Sequence, residues 1–163
     1  PYVLLDGQRQ SLSISLSHRQ GMAVAAVCQD VTIRPGIDLE WIEERDASFY
    51  EDYFTREENR LLGVFPGGER AQWGTLIWSA KESMLKALGQ GLRVDTRSVQ
   101  VLRIGNVVEN GWRRMDLQTN DHPIQSWQGW WRQLGNHILT LAVFSFQTRI
   151  EIRQILPVGE SGT

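Results

Sequence analysis

Residues 69–88 read ERAQWGTLIWSAKESMLKAL, a stretch free of proline and closed by Gly89. On a helical wheel of about 100° per residue, Trp73, Ile77, Ala80, Met84 and Leu88 share one face. Thr75, Ser79, Glu82 and Lys86 share the opposite one. Trp78 and Leu85 flank that polar stripe on one side and Leu76 on the other. A helix apolar nearly all round is a buried helix. This one nevertheless carries a carboxylate and an ammonium at i, i+4. On a solvent face such a pair is common and contributes only about 0.2–0.5 kcal/mol. In a cleft it needs partners, and a polyanion with a metal ion would supply them. The helix pattern alone leaves both readings open.

Upstream of the helix, Val64-Phe65-Pro66-Gly67-Gly68 interrupts the chain. Before it, Thr55 and Glu58 form a capping-box pattern ahead of Leu61 and Leu62, and Asp46 is placed to cap a turn carrying Phe49, Tyr50 and Tyr53. In SLSISLS (11–17), Leu12, Ile14 and Leu16 alternate with serines, which predicts a strand half-buried on its apolar side. MAVAAVC (22–28) would complete a hairpin, and GIDLEWI (36–42) a further strand. Downstream, VQVLRI (99–104), WRRMDLQ (112–118), IQSWQGWWRQ (124–133) and HILTLAVFSF (137–146) read as strands, the last two joined through Leu134-Gly135-Asn136. The tail at 159–163 is expected to be disordered. The fold class is α+β, an antiparallel sheet with a long packed helix.

The chain has 163 residues, 41% of them hydrophobic, enough for a sizeable core. A net charge of −2 offers no basic field for nucleic acid. No apolar run is long enough for a membrane span and no signal peptide is visible, so a cytoplasmic location is expected. The one cysteine, Cys28, sits in an apolar run and reads as structural. Of 17 basic residues only Lys81 and Lys86 are lysine, and both lie in the long helix. A compact ammonium at both positions points to a specific task there.

The remaining chemistry-bearing residues are acidic. On a strand Asp38 and Glu40 point the same way, with Leu39 toward the core. Two like charges side by side call for a cation between them, and oxygen-only ligands suit Mg²⁺. An acidic surface strand is the plain alternative. Ser17 and His18 close the first strand, where a hydroxyl and an imidazole could meet a phosphate. Neither His122 nor His137 has such a context. The histidines lack metal-ligand spacing with Cys28, so zinc is not expected.

Taken in order, SISLSH, GIDLE and WSAKESMLK resemble the signature of the 4′-phosphopantetheinyl transferase superfamily, of the Sfp type. The residues that carry the resemblance are Ser17-His18, Gly36 to Glu40, and Trp78 to Lys86, with FTREE (54–58) between the last two. It covers about residues 1–92 with motifs and the later sheet only loosely. The resemblance implies transfer of the phosphopantetheine arm of coenzyme A to a serine of an acyl- or peptidyl-carrier protein. It implies Mg²⁺ held by Asp38, Glu40 and Glu82, with Glu82 also the candidate general base. It implies that Lys86 neutralises phosphate charge, and that Ser17, His18 and, with less weight, Lys81 contact coenzyme A. Lys81 would otherwise brace Glu40.

Sfp-type enzymes are pseudo-dimers of two similar lobes with the active site at the seam. The resemblance therefore divides the chain into the end of a first lobe with the hairpin (1–35), a second lobe (36–158) and the tail. Pro1-Tyr2 resembles the K-P-Y motif without its lysine, so most of the first lobe is expected to lie outside this chain. The chain would then be a domain of a larger synthase or complete its site from a second copy. Carrier docking is expected near Phe49, Tyr50, Tyr53 and Phe54, with Arg45, Arg56 and Arg60 as steering charges. The spacing of Tyr50 and Phe54 reads as core. The resemblance leaves the carrier open among fatty-acid, polyketide and peptide synthesis. A non-catalytic lobe of a larger synthase is the alternative reading.

Overall fold

A computed structural model of the protein describes residues 1–89, 94–109, 111–120, 127–144 and 150–153, with side chains from 106 to 109 excepted. The chain begins with a two-residue ribbon, β1 (Leu4–Leu5) and β2 (Gln8–Arg9). The hairpin β3 (Ser13–Arg19) and β4 (Met22–Cys28) follows, then β5 (Arg34–Trp41). Three helices come next: α1 (Ala47–Tyr53), α2 (Arg56–Gly63) and α3 (Arg70–Leu88). The last strands are β6 (Val99–Glu109), β7 (Trp112–Thr119), β8 (Trp127–Leu134) and β9 (His137–Phe144). The class is α+β, as expected. Five strands form one antiparallel sheet in the order β5-β9-β8-β7-β6, which sets β5 at an edge. Of the expected strand at 124–133, residues 127–133 are strand. Residues 124–126, residues 145–146 of the expected strand at 137–146, His122 and the tail fall outside the described residues.

Local signals explain the elements. Gln20 and Gly21 turn β3 into β4 with positive φ angles of 48° and 77°, the conformation a tight two-residue hairpin requires. Thr55 and Glu58 make both bonds of the capping box. Asp46 starts α1 without a side-chain cap bond. Gly89 ends α3 in the left-handed region.

α3 packs across one face of the sheet over a core that includes Leu76, Ile77, Met84, Leu85, Val99, Ile138 and Ala142. Tyr50 and Phe54 are buried in the same core, as their spacing predicts. The other sheet face, with Ile37, Leu39, Leu141 and Val143, packs on Met22, Val24, Ala26 and Cys28 of β4.

The hairpin's polarity is the reverse of the sequence expectation. The serine side of β3 faces inward, Ser15 is buried, and Leu16 is 51% exposed. The reason lies in the free edge of β5. The amide of Ile37 donates to Ser15 Oγ (3.0 Å) and that of Leu39 to Ser17 Oγ (3.2 Å). Hydroxyls thus replace the neighbouring strand that an edge lacks, and the amides of Ile37 and Leu39 find acceptors inside the protein.

Candidate active site

β5 and α3 build the site at their seam. Gly36 sets how close they come: a Cβ there would run into the backbone of Ser83 and Ala87. On β5 the pleat sends Ile37 and Leu39 to the hairpin side and Asp38 and Glu40 toward α3. Asp38 is buried. Its Oδ1 accepts from Lys86 Nζ (2.7 Å) and Ser17 Oγ (3.0 Å), and its Oδ2 from Ser79 Oγ (2.8 Å). Lys86 Nζ also donates to the Ile37 carbonyl, 3.1 Å away. Glu40 Oε1 accepts from Trp78 Nε1 at 3.2 Å. Its other oxygen lies 3.6 Å from Arg19 Nε and 3.7 Å from Arg45 Nη2, and both arginines also pair with Glu43.

Glu82 sits one turn before Lys86 on α3. Burial, with Asp38 as the next contribution, pushes its pKa up to about 7; Lys86 pulls it down and Glu40 adds to the rise. Glu40 is pushed up as well, by burial and then Asp38, while Arg19, Arg45 and Trp78 oppose the shift. Two buried carboxylate oxygens, Glu82 Oε1 and Glu40 Oε2, have no hydrogen-bond partner. Such atoms are rare in native folds; Glu40 Oε2 has its two arginines as ion-pair partners, which leaves Glu82 Oε1 as the carboxylate oxygen of the site with neither a hydrogen bond nor an ion pair among the described residues.

The four sequence-predicted residues Asp38, Glu40, Glu82 and Lys86 are therefore brought into one electrostatic neighbourhood. Three others stand differently. Ser17 joins the site through Asp38 and the Leu39 amide. His18 alternates with Ser17 along β3 and is exposed on the outward side of the hairpin. Lys81 is a correction: it pairs with Glu58 and does not brace Glu40. It is fully buried, with Nζ 2.6 Å from Glu58 Oε2 and 2.8 Å from the Val99 carbonyl. Burial drives its pKa down, and Glu58 opposes that shift. Arg45 is a second correction: it is turned inward, with its guanidinium 4.5 Å from the Phe49 ring centroid, and is no free steering charge.

The sequence reading missed Thr140, Trp78 and Arg19 as members of the site. Thr140 was marked by being the one hydroxyl in the apolar run 138–144, yet only the strand register places it opposite Asp38.

Oxygen donors alone suit a hard cation such as Mg²⁺, and the carboxylate oxygens of Glu82 and Glu40 that accept no hydrogen bond fit one. Among the described residues no three His, Cys, Asp or Glu side chains converge tightly enough to hold an ion as they stand. Asp38 is instead taken by Lys86 and two serines. Mg²⁺ is compatible with that arrangement, since it takes one or two carboxylates and completes its shell with water and phosphate.

Fold and cleft define an α+β domain with a carboxylate–lysine site at a strand–helix seam. The description of the 4′-phosphopantetheinyl transferase superfamily matches residues 34–142. The chain belongs to that superfamily. Among curated proteins it is similar to the 4′-phosphopantetheinyl transferase HetI of Nostoc sp., 34% identical over 83 residues, which is 50% of this chain and 34% of HetI. It is also similar to the 4′-phosphopantetheinyl transferase gsp of Aneurinibacillus migulanus, 28% identical over 100 residues, 60% of this chain and 38% of gsp. The matches thus span little more than a third of these relatives. Two solved structures share the fold. One is a holo-(acyl-carrier-protein) synthase from Bacillus anthracis in complex with CoA (3′,5′-ADP), with TM-score 0.52, 19% identity, and coverage of 68% of this chain and 93% of that one. The other is the Thermotoga maritima holo-[acyl-carrier-protein] synthase, with TM-score 0.51, 20% identity and coverage of 69% and 63%.

Proposed function

We propose that this chain carries the catalytic half-site of a 4′-phosphopantetheinyl transferase that moves the phosphopantetheine arm of coenzyme A onto a serine of an acyl- or peptidyl-carrier protein. The observation that carries the reading is Glu82. Its carboxyl is half-buried and unpartnered at Oε1, its pKa is raised by burial first and then by Asp38 and Glu40, and it lies one helical turn from Lys86. In the reaction the serine oxygen attacks the β-phosphorus of coenzyme A. The bond from that phosphorus to the oxygen bridging the α- and β-phosphates breaks, and adenosine 3′,5′-bisphosphate leaves. Glu82 is placed to take the serine proton, directly or through water. Lys86, held by Asp38 in the free protein, would turn its ammonium to the leaving phosphates. Ser17 acts by fixing Asp38. His18 would meet a phosphate only from the solvent side of the hairpin. Asp38, Glu40 and Glu82 would hold Mg²⁺, which when bound neutralises the pyrophosphate and polarises the phosphoryl group.

The carrier is assigned to the surface of Phe49 and Tyr53, the latter 39% exposed. Both rings border a hollow of about 330 Å³ with Trp78, Val94 and Asp95, and Trp78 connects it to Glu40. Arg56 and Arg60 are exposed nearby on α2. On this reading β1–β4 finish a first lobe and residues from 36 onward form the second, in the Sfp arrangement. Short coverage of the curated relatives favours one further reading, a lobe that needs a second copy or an additional lobe to turn over.

Mass spectrometry of an apo carrier protein incubated with the protein, coenzyme A and Mg²⁺ tests the reading. Added phosphopantetheine is expected, absent with Glu82→Gln or Asp38→Ala and after chelation. Transfer by either variant, or undiminished turnover in chelator, would overturn the assignment.

A further inference from the structure

Asp38 is the most constrained carboxylate of the site, and what constrains Oδ2 lies outside every motif role assigned above. Thr140 on β9 stands directly opposite Asp38 on β5. Ser79 on α3 lies above both, and Ser79 and Thr140 are fully buried. Ser79 Oγ is 2.8 Å from Asp38 Oδ2 and 2.9 Å from Thr140 Oγ1, and Thr140 Oγ1 is also 2.9 Å from the Ser79 carbonyl oxygen.

Each hydroxyl has one proton to give. The Asp38 carboxylate is the stronger acceptor, so the Ser79 proton goes to it. The contact between the two hydroxyls then falls to the proton of Thr140, which both acceptors on Ser79 attract. Without Thr140, Ser79 would be free to rotate toward the preceding helical turn, the usual habit of a serine inside a helix. Thr140 therefore directs Ser79, and Ser79 directs Asp38.

We infer that Ser79 and Thr140 are positioning residues: a two-hydroxyl relay from sheet to helix that fixes the direction of the Asp38 carboxylate and with it the divalent-ion affinity of the site. The consequence for the ion rests on the function proposed above; the consequence for Asp38 does not. Ser17 and Lys86 hold Oδ1 only, so Oδ2 depends on the relay.

Thr140→Val keeps the branched shape and removes the hydroxyl; Thr140→Ser restores it. Calorimetric titration of the full chain with Mg²⁺ should show the dissociation constant raised about tenfold in Ser79→Ala, the scale of one hydrogen bond to a charged group. It should rise several-fold in Thr140→Val and return in Thr140→Ser. In carrier modification kcat should fall with KM for coenzyme A unchanged, a split that general loosening of the fold would not give. In the metal-free protein the ¹³Cγ resonance of Asp38 should move in Thr140→Val and return in Thr140→Ser. A resonance unmoved in Thr140→Val and Ser79→Ala overturns the inference. A resonance that responds, in a wild type that neither binds Mg²⁺ nor modifies a carrier, keeps the relay and removes the proposed function.

Discussion

Glu82 holds a proton that an exposed glutamate would have lost. Its folded pKa of about 7 stands above an ordinary value of 4.5, so the sign of the stability effect is fixed. As pH rises through 4.5 the unfolded chain releases this proton while the folded chain keeps it. Stability therefore falls between pH 4.5 and 7 and levels off above. Glu40, raised in the same direction, adds to the slope. In chelator, wild-type melting temperature should drop between pH 5 and pH 8, and Glu82→Gln should melt higher than wild type at pH 8 and alike near pH 4.5. Equal melting of the two at pH 8 would contradict the raised carboxyl. Lys86 poses the converse case, since its ammonium now neutralises Asp38 at 2.7 Å. Lys86→Ala should bind Mg²⁺ more tightly in calorimetry yet transfer the arm more slowly, because a competing cation is gone from Asp38 and a charge is gone from the phosphates. Weaker Mg²⁺ binding in that variant would show that Lys86 does not compete for the site.

The helix α3 carries the site on one side and a structural staple on another. Glu58 closes the capping box of α2, receives Lys81 from α3, and accepts the amide of Val101 on β6 at 2.8 Å. One carboxylate thus fastens three elements in a volume closed to water. Removing one partner leaves the other charge buried, which costs about 3–5 kcal/mol. Lys81→Ala should lower the urea midpoint accordingly while leaving KM for coenzyme A in the surviving folded fraction unchanged. A changed KM at unchanged stability would return Lys81 to the ligand. The motif spacing did reveal that Asp38 and Glu40 share a face, as do Glu82 and Lys86, because both facts follow from the period of a single element. The partner of Lys81 did not follow. The wheel gives the direction of a side chain from its axis, and which element meets it depends on packing between α2, α3 and β6.

Attachment of the hairpin to the sheet shows the same limit at the scale of the whole molecule. Alternation in SLSIS correctly marked a strand, and the assumption that apolar means inward then chose the wrong face. β5 is an edge, and an edge facing protein needs acceptors more than it needs methyl groups. The family match begins at Arg34, so β1–β4 lie before it, yet Ser15 and Ser17 of β3 complete the backbone bonding of β5. A reversal of the usual core rule follows. Ser15→Ala strips the Ile37 amide of its acceptor inside the protein, at a cost of about 1–3 kcal/mol. Leu16→Ala removes a side chain that is 51% exposed, which ordinarily changes stability by no more than about 0.5 kcal/mol. Urea unfolding should rank the serine substitution as the more damaging of the two, and hydrogen exchange at Ile37 should quicken in Ser15→Ala alone. The opposite ranking would mean that Leu16 is covered in solution, and that the hairpin meets β5 with its other face.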